Sequence, residues 1–126
     1  MRSAGLAFGK AAEIAAVEFL KTQGYRILEL NYKNKLGEID IIARHRGVIC
    51  FLEVKARHST YAGLPQEAVT SAKQRQISRV ALSYLKSKNL LDAPARFDVV
   101  GILYENNRPQ ISLITDAFEL APGFDV

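Results

Sequence analysis

Two acidic residues stand inside runs of apolar residues that are otherwise typical of buried β-strands. Asp40 interrupts the run Ile39–Ile42, and Glu53 interrupts the run Phe51–Val54. Asp and Glu are depleted in strands, and a carboxylate buried without a partner tends to take up a proton. The chain must therefore fold so that something positive reaches both side chains.

The two runs predict a β-hairpin. Its strands are expected over Glu38–Ala43 and Val48–Ala56, and the polar stretch Arg44–Gly47 between them is typical of a turn. Side chains alternate between the two faces of a strand, so the positions of the acids along each strand decide which face they occupy.

The pairing register of this hairpin decides whether the two carboxylates meet. If Arg46–Gly47 alone forms the turn, Asp40 lies directly opposite Glu53. If all four turn residues loop out, the two acids are diagonal to each other and Glu38 faces Glu53. Both registers place the acids on one face together with Lys55, and like charges opposite each other repel.

Two interpretations fit this face. In the first, Lys55 forms a structural ion pair that satisfies both acids. In the second, Asp40 and Glu53, completed by a backbone carbonyl and water, bind a divalent cation, and such oxygen ligands favour Mg²⁺ or Mn²⁺. Zinc is disfavoured because His45 and His58 are expected on surface loops and no His and Cys pair has ligand spacing.

The whole chain predicts one α/β domain over residues 1–126 with a mixed sheet. A first helix is expected over Ala4–Thr22, with Ile14 on its apolar face, and a second from a capping box at Ser71 to about Lys88. A strand with apolar residues on both faces is expected to be central in the sheet. The further strands are Tyr25–Tyr32, Arg96–Tyr104 (the central one) and Ile111–Ile114.

Composition excludes several classes of protein. The 126 residues contain 17 Lys and Arg and 13 Asp and Glu, for a net charge of +4, and no apolar run has the length of a membrane span. The N-terminus lacks the apolar core of a signal peptide. We therefore expect a cytoplasmic protein with no membrane partner, in which the single cysteine, Cys50, is buried and reduced.

The positive charge is concentrated in one segment. Between Val54 and Leu91 seven basic residues stand against one acid, Glu67. A solvated helix face is the default explanation of such a run, but the run would also suit a polyanionic partner. The seven are Lys55, Arg57, Lys73, Arg75, Arg79, Lys86 and Lys88.

Three motifs resemble a known family. Gly37–Asp40, Phe51–Arg57 and Arg96–Val100 together resemble the YraN-like proteins, a bacterial family whose fold is similar to that of archaeal Holliday-junction resolvases. The Asp of the first motif and the Glu-Val-Lys of the second are also similar to the PD-(D/E)XK nuclease superfamily. The resemblance covers residues 9 to about 118. One departure is Ile39, which stands where that superfamily often has proline.

The resemblance implies a restriction-endonuclease-like core (αβββαβ) with a mixed central sheet flanked by helices. It also implies that Asp40 and Glu53 bind Mg²⁺ or Mn²⁺ and that Lys55 is the catalytic lysine. Glu13 would be an additional catalytic acid that reaches the site from the first helix. Lys73 matches a family lysine that would contact the phosphate backbone.

Two further acids have alternative roles. Asp98 interrupts an apolar strand and is expected to be a structural partner of Arg96 or Arg57 rather than a metal ligand. Glu38 would be a ligand or a hydrogen-bond partner at the site, or would form an ion pair with Lys35.

We therefore expect a metal-dependent nuclease that hydrolyses phosphodiester bonds in structured or branched DNA, with DNA favoured over RNA. A homodimer would suit the two cuts that resolving a junction requires. The alternatives are a non-catalytic nucleic-acid-binding module with the same fold, and a protein-interaction domain whose carboxylate–lysine cluster is structural. Sequence-independent contacts to nucleic-acid phosphates are expected from the basic residues Lys55, Arg57, Lys73, Arg75 and Arg79.

Overall fold

The secondary structure follows the predicted order of helix, three strands, helix and two strands. The computed structural model describes residues 3–58 and 63–123, with side chains from residue 7 onward. A short 3₁₀ helix, η1, precedes the second α-helix. The elements are α1 (Ser3–Thr22), β1 (Arg26–Asn34), β2 (Gly37–His45), β3 (Val48–Arg57), η1 (Pro65–Ala68), α2 (Ser71–Ser87), β4 (Ala95–Glu105) and β5 (Arg108–Phe118).

The five strands form one sheet in the order β1-β2-β3-β4-β5. β3 and β4 are parallel and are connected through α2, while the other neighbouring pairs are antiparallel. The sheet is therefore mixed, and β4 is an internal strand. The predicted α/β class is confirmed, and the arrangement is consistent with a restriction-endonuclease-like core.

The sheet separates two hydrophobic clusters. The cluster against α1 includes Leu20 and Leu52, and the cluster against α2 includes Phe51 and Tyr84. Leu52 and Phe51 are neighbours on β3, so strand alternation sends one to each side of the sheet. The face of β3 that carries Phe51 also carries Glu53, which places that acid on the α2 side.

The buried face of α1 differs from its predicted apolar face at Ile14, although Leu20 is buried as predicted. Ile14 is 56% exposed, whereas Ala12, Ala16 and Leu20 are buried. Positions 12, 16 and 20 recur every four residues, so they form one stripe along the helix. The small side chains of Ala12 and Ala16 leave room for the helix to pack on the sheet, and the prediction for Ile14 is wrong.

Two element ends also differ from prediction. α2 is capped by Thr70, whose Oγ1 accepts a hydrogen bond from the backbone N–H of Lys73, so Ser71 is the first helical residue and not the cap. β5 is longer than predicted because Asn106 and Asn107, both with positive φ, make a two-residue turn between paired strands.

Within the described residues, neither α-helix combines the length and the apolar character that crossing a membrane would require.

Candidate functional site

The acids that the sequence singles out lie in an open cleft of about 350 Å³. Side chains from four different elements, α1, β2, β3 and α2, line it. The cleft brings together all four residues predicted to be catalytic and a further predicted phosphate contact, Lys73. The five are Glu13, Asp40, Glu53, Lys55 and Lys73.

The hairpin adopts the first of the two predicted registers. Arg46 and Gly47 form the turn, both with positive φ, and the pairing runs from His45 opposite Val48 to Ile41 opposite Leu52. The ladder of paired residues ends there. The next residues in the same register are Asp40 and Glu53.

Beyond the end of the ladder, the two carboxylates replace backbone hydrogen bonds. The backbone N–H of Asp40 donates to Glu53 Oε2 at 3.3 Å, and the backbone N–H of Val54 donates to Asp40 Oδ2 at 2.8 Å. Each acid therefore holds the opposite strand with one carboxylate oxygen. This exchange fixes both side chains at the entrance of the cleft.

Burial makes the charged form of both acids costly. Glu53 is only 3% exposed, and its burial, together with the nearby charge of Asp40, raises the pKa of its carboxyl to about 7. Burial also raises the pKa of Asp40, and the charge of Glu13 acts in the same direction. The cleft therefore holds more negative charge than its surroundings compensate.

The ion-pair partner of Glu53 is Lys73 and not Lys55. Lys73 Nζ, from the first turn of α2, lies 3.7 Å from Glu53 Oε1. Lys55 lines the same cleft, but in the part of the chain that the structure describes it forms no ion pair with either acid. Because Glu53 and Lys55 extend side by side from one strand, the lysine from the facing helix is better placed to meet the carboxylate.

Glu13 is held by a residue that the sequence analysis missed. Asn31 Nδ2 donates a hydrogen bond to Glu13 Oε1 at 3.1 Å. Asn31 has a φ of 51° within β1, between Leu30, which pairs with Ile41, and Tyr32, which pairs with Ile39. The sequence signal for this position is an asparagine inside a strand-like run, because Asn adopts the left-handed backbone conformation more readily than most residues.

The family is shown by sequence relationships. The model of the family described as Uncharacterised protein family UPF0102 matches residues 12–102. The chain belongs to this family. The predicted resemblance to the YraN-like proteins is thereby confirmed, and UPF0102 falls within the restriction-endonuclease-like superfamily.

Several UPF0102 proteins are similar to this chain over most of its length. It is 51% identical over 121 residues to one from Geotalea uraniireducens (strain Rf4), which is 95% of each chain. It is 52% identical over 114 residues to one from Geotalea daltonii, 90% of each chain, and 51% identical over 115 residues to one from Syntrophus aciditrophicus, 91% of each chain. The names of these relatives state only the family, so the function must be inferred from the geometry of the site.

The remaining predicted phosphate contacts lie outside the cleft. Arg57, at the end of β3, lines a neighbouring cavity together with Lys55. Arg75 and Arg79 are exposed and lie one turn apart on α2. Only Lys73 of the basic residues on α2 enters the cleft, because it is in the first turn, next to β3.

Asp98 belongs to a separate polar cluster on the other side of the sheet. Its partner is Arg96, whose Nε donates to both carboxylate oxygens at 3.0 and 3.1 Å. Tyr25 joins them through its hydroxyl, and its ring stacks on His45 at 4.1 Å. His45 is therefore partly buried at the end of β2, so its prediction as a surface-loop residue is wrong.

Cys50 is buried as predicted, and burial raises the pKa of its thiol to about 12.

Glu38 is exposed and is not among the residues that line the cleft.

The donor chemistry of the cleft fits a hard divalent cation. Among residues 3–58 and 63–123, no group of three or more His, Cys, Asp or Glu side chains is arranged to enclose a metal. Mg²⁺ does not require such a cage, because it keeps several waters and is often bound through one or two carboxylates. Asp40 and Glu53 supply two carboxylates whose pKa values are raised mainly by burial, and a bound cation would favour their charged forms.

Proposed function

We propose that this UPF0102 chain is a divalent-cation-dependent nuclease that hydrolyses phosphodiester bonds in structured or branched DNA. The observation that carries the proposal is the pair Asp40 and Glu53, which face each other at the end of the β2–β3 ladder. A buried and a partly buried acid so close together destabilise the fold unless positive charge is brought to them.

The same observation argues against a purely structural ion pair. Lys73 is the cation closest to Glu53, at 3.7 Å, and the pKa of Glu53 is nevertheless raised to about 7. The resident lysines therefore do not offset the burial of the two acids. A cation that binds from solution would offset the remaining cost.

Asp40 and Glu53 would hold Mg²⁺ or Mn²⁺, and Glu13 would complete the acidic side of the cleft. When bound, the cation would polarise the phosphodiester and lower the pKa of a bound water. The Lys55 ammonium would stabilise negative charge that develops on the phosphate oxygens. Lys73 would place the DNA backbone against the first turn of α2, where the helix dipole also favours a phosphate.

Contacts outside the cleft would supply affinity without sequence preference. Arg57 follows Lys55 on the same face of β3, and Arg75 and Arg79 are exposed on α2. Binding through such residues weakens as salt is added because counterions are released from the phosphates. A homodimer working in the cytoplasm would present two such clefts to a junction, and light scattering of the protein with and without junction DNA tests its assembly.

The proposal is tested by cleavage assays with four-way junctions, flaps and plain duplexes in Mg²⁺ or Mn²⁺. We expect Asp40→Asn, Glu53→Gln and Lys55→Met each to reduce cleavage at least about 100-fold while DNA binding persists. Glu119→Gln, which changes an exposed acid far along the chain, serves as the matched control. Binding without cleavage for every substrate and metal would favour the non-catalytic nucleic-acid-binding module instead.

A further inference from the structure

A second cavity, of about 470 Å³, adjoins the carboxylate cleft. Lys55 lines both of them. The second cavity extends from the end of β3 across β4 to β5, and the segment that leads into η1 borders it. Its volume lies in the range of small-molecule and cofactor sites.

Gly101 is the residue that allows this cavity to form. It pairs with Lys55 on β3 and with Ser112 on β5, so it lies in the middle of the cavity floor. A Cβ at Gly101 would clash with Pro65 Cγ. The missing side chain lets Pro65, at the start of η1, stand directly over β4.

The walls are mostly apolar, with a few polar groups at defined places. Leu64 is 57% exposed at the rim, and Pro65 lies deeper. Arg57 Nε is buried and, among the described residues, is the one buried side-chain polar atom without a hydrogen-bond partner. An unsatisfied buried donor is costly, so an acceptor from a bound molecule would relieve it.

The single acid in the lining is already engaged. Glu67 Oε1 accepts a hydrogen bond from the backbone N–H of Leu64 at 2.8 Å, which fixes the segment before η1. The charge that the cavity offers to a ligand is therefore mainly that of Lys55 and Arg57. Ser112 and Gln110 add polar groups on the β5 side.

We propose that this cavity binds a nucleobase that has left the base stack, one whose own phosphate lies at Lys55. The proposal rests on the proposed nuclease function, and it specifies the substrate class further. A base offers flat apolar faces for the walls and hydrogen-bond acceptors on its edge for Arg57. Its backbone carries the negative charge that Lys55 and Arg57 attract.

The substrate would therefore contain an unpaired nucleotide beside the bond that is cut. A base within an intact duplex cannot enter a concave cavity without first losing its pairing and stacking. Junctions, flaps and bulges already provide nucleotides for which this cost is small. Plain duplex DNA is then bound through its backbone alone.

The test compares two duplexes that each carry a single unpaired nucleotide, one with its base and one with an abasic residue at the same place. Affinities are measured with EDTA present so that no cleavage occurs. We expect the base-containing duplex to bind about tenfold more tightly to the wild-type protein. Ser112→Phe, which fills the cavity, should abolish this preference, and Thr115→Phe, an exposed control on the same strand, should retain it.

The outcomes separate this proposal from the nuclease function. If the protein cleaves branched DNA but binds both duplexes equally, the base-binding cavity is refuted and the nuclease function stands. If the base preference exists without cleavage in any metal, the cavity proposal is supported and the nuclease function fails. If no DNA binds at low salt, both are refuted. Should Ser112→Phe not fold, Gln110→Phe at the exposed mouth takes its place, with the same loss of preference expected.

Discussion

Asp98 and Glu53 are both buried in the same sheet, yet their surroundings differ sharply. Asp98 on β4 pairs with Leu52 on β3, and Glu53 is the residue after Leu52. The two acids therefore face opposite sides of the sheet. Asp98 is 0% exposed and accepts hydrogen bonds from Arg96, Tyr25 and the backbone N–H of Asp116. Glu53 is 3% exposed, but it faces a second acid, Asp40.

The difference separates an acid that stabilises the fold from a pair of acids that destabilises it. The carboxylate of Asp98 has a guanidinium and two further donors, so its charge is compensated within the folded chain. The pair Asp40 and Glu53 has Lys73 at 3.7 Å and retains raised pKa values. Residues that destabilise a fold are typical of functional sites, where activity and stability are in conflict.

The largest effect is expected at the compensated site. Asp98→Ala leaves the Arg96 guanidinium without its carboxylate, and we expect the free energy of unfolding to fall by about 3–5 kcal/mol. Urea denaturation measures it. The double variant Arg96→Ala with Asp98→Ala should recover part of that loss, since it leaves no unpaired charge. A loss below about 1 kcal/mol for Asp98→Ala would show that Asp98 does not stabilise the fold in the way that distinguishes it from Glu53.

The uncompensated site should make stability depend on pH. Glu53 has a raised pKa of about 7 in the folded chain against a usual value of 4.5, so folding favours its protonated form. Its contribution is fully present below pH 4.5 and is lost as the pH rises through 7, which corresponds to on the order of 3 kcal/mol. Thermal unfolding of metal-free protein between pH 5 and pH 8 measures this. Subtracting the dependence of stability on pH in the Glu53→Gln variant isolates the contribution of Glu53. Adding Mg²⁺ should restore stability at pH 8.

Removing one acid of the pair should stabilise the metal-free protein. At pH 8 we expect Glu53→Gln to raise the free energy of unfolding by about 1–3 kcal/mol, because the amide carries no charge to bury and can still accept from the Asp40 N–H. The Glu119→Gln control should change it by less than about 0.5 kcal/mol. Destabilisation of several kcal/mol by Glu53→Gln would instead identify the pair as structural.

The smallest effect is expected at Asn31. Asn31→Ala loses the hydrogen bond to Glu13 and places alanine at a φ of 51°, which should cost about 1–2 kcal/mol. Asn31→Gly loses the same hydrogen bond without backbone strain and should cost less. If Asn31 positions Glu13 for the cleft, both variants should weaken Mn²⁺ binding in calorimetry by a similar factor. Unchanged Mn²⁺ affinity in both would limit Asn31 to a role in folding.

Much of the candidate site could be predicted from local sequence because strand alternation has a fixed period. The positions of Asp40, Glu53 and Lys55 place them on one face in either register, and the structure has that arrangement. The partner of Asp98 was one of two arginines, and it is Arg96. The choice between the two registers required the turn geometry, which Arg46 and Gly47 supply with positive φ.

Other features depend on how the helices pack, and local patterns misjudged them. Ile14 is predicted to be buried, but Ala12, Ala16 and Leu20 form the buried stripe of α1 instead. His45 was expected on a surface loop, but it stacks on Tyr25 beyond the end of α1. Such contacts join segments that are distant in sequence, so no local periodicity reports them.

The sequence by itself determined that this chain has two acids and a lysine on one face of a β-hairpin within an α/β fold, because that follows from alternation along two strands. Only the tertiary structure decided that Lys73 rather than Lys55 pairs with Glu53, and that Asn31 holds Glu13. It also placed Pro65 over Gly101 to form a second cavity beside the first. These contacts depend on the β3–α2–β4 connection and on the packing of α1, which bring residues together across the whole length of the chain.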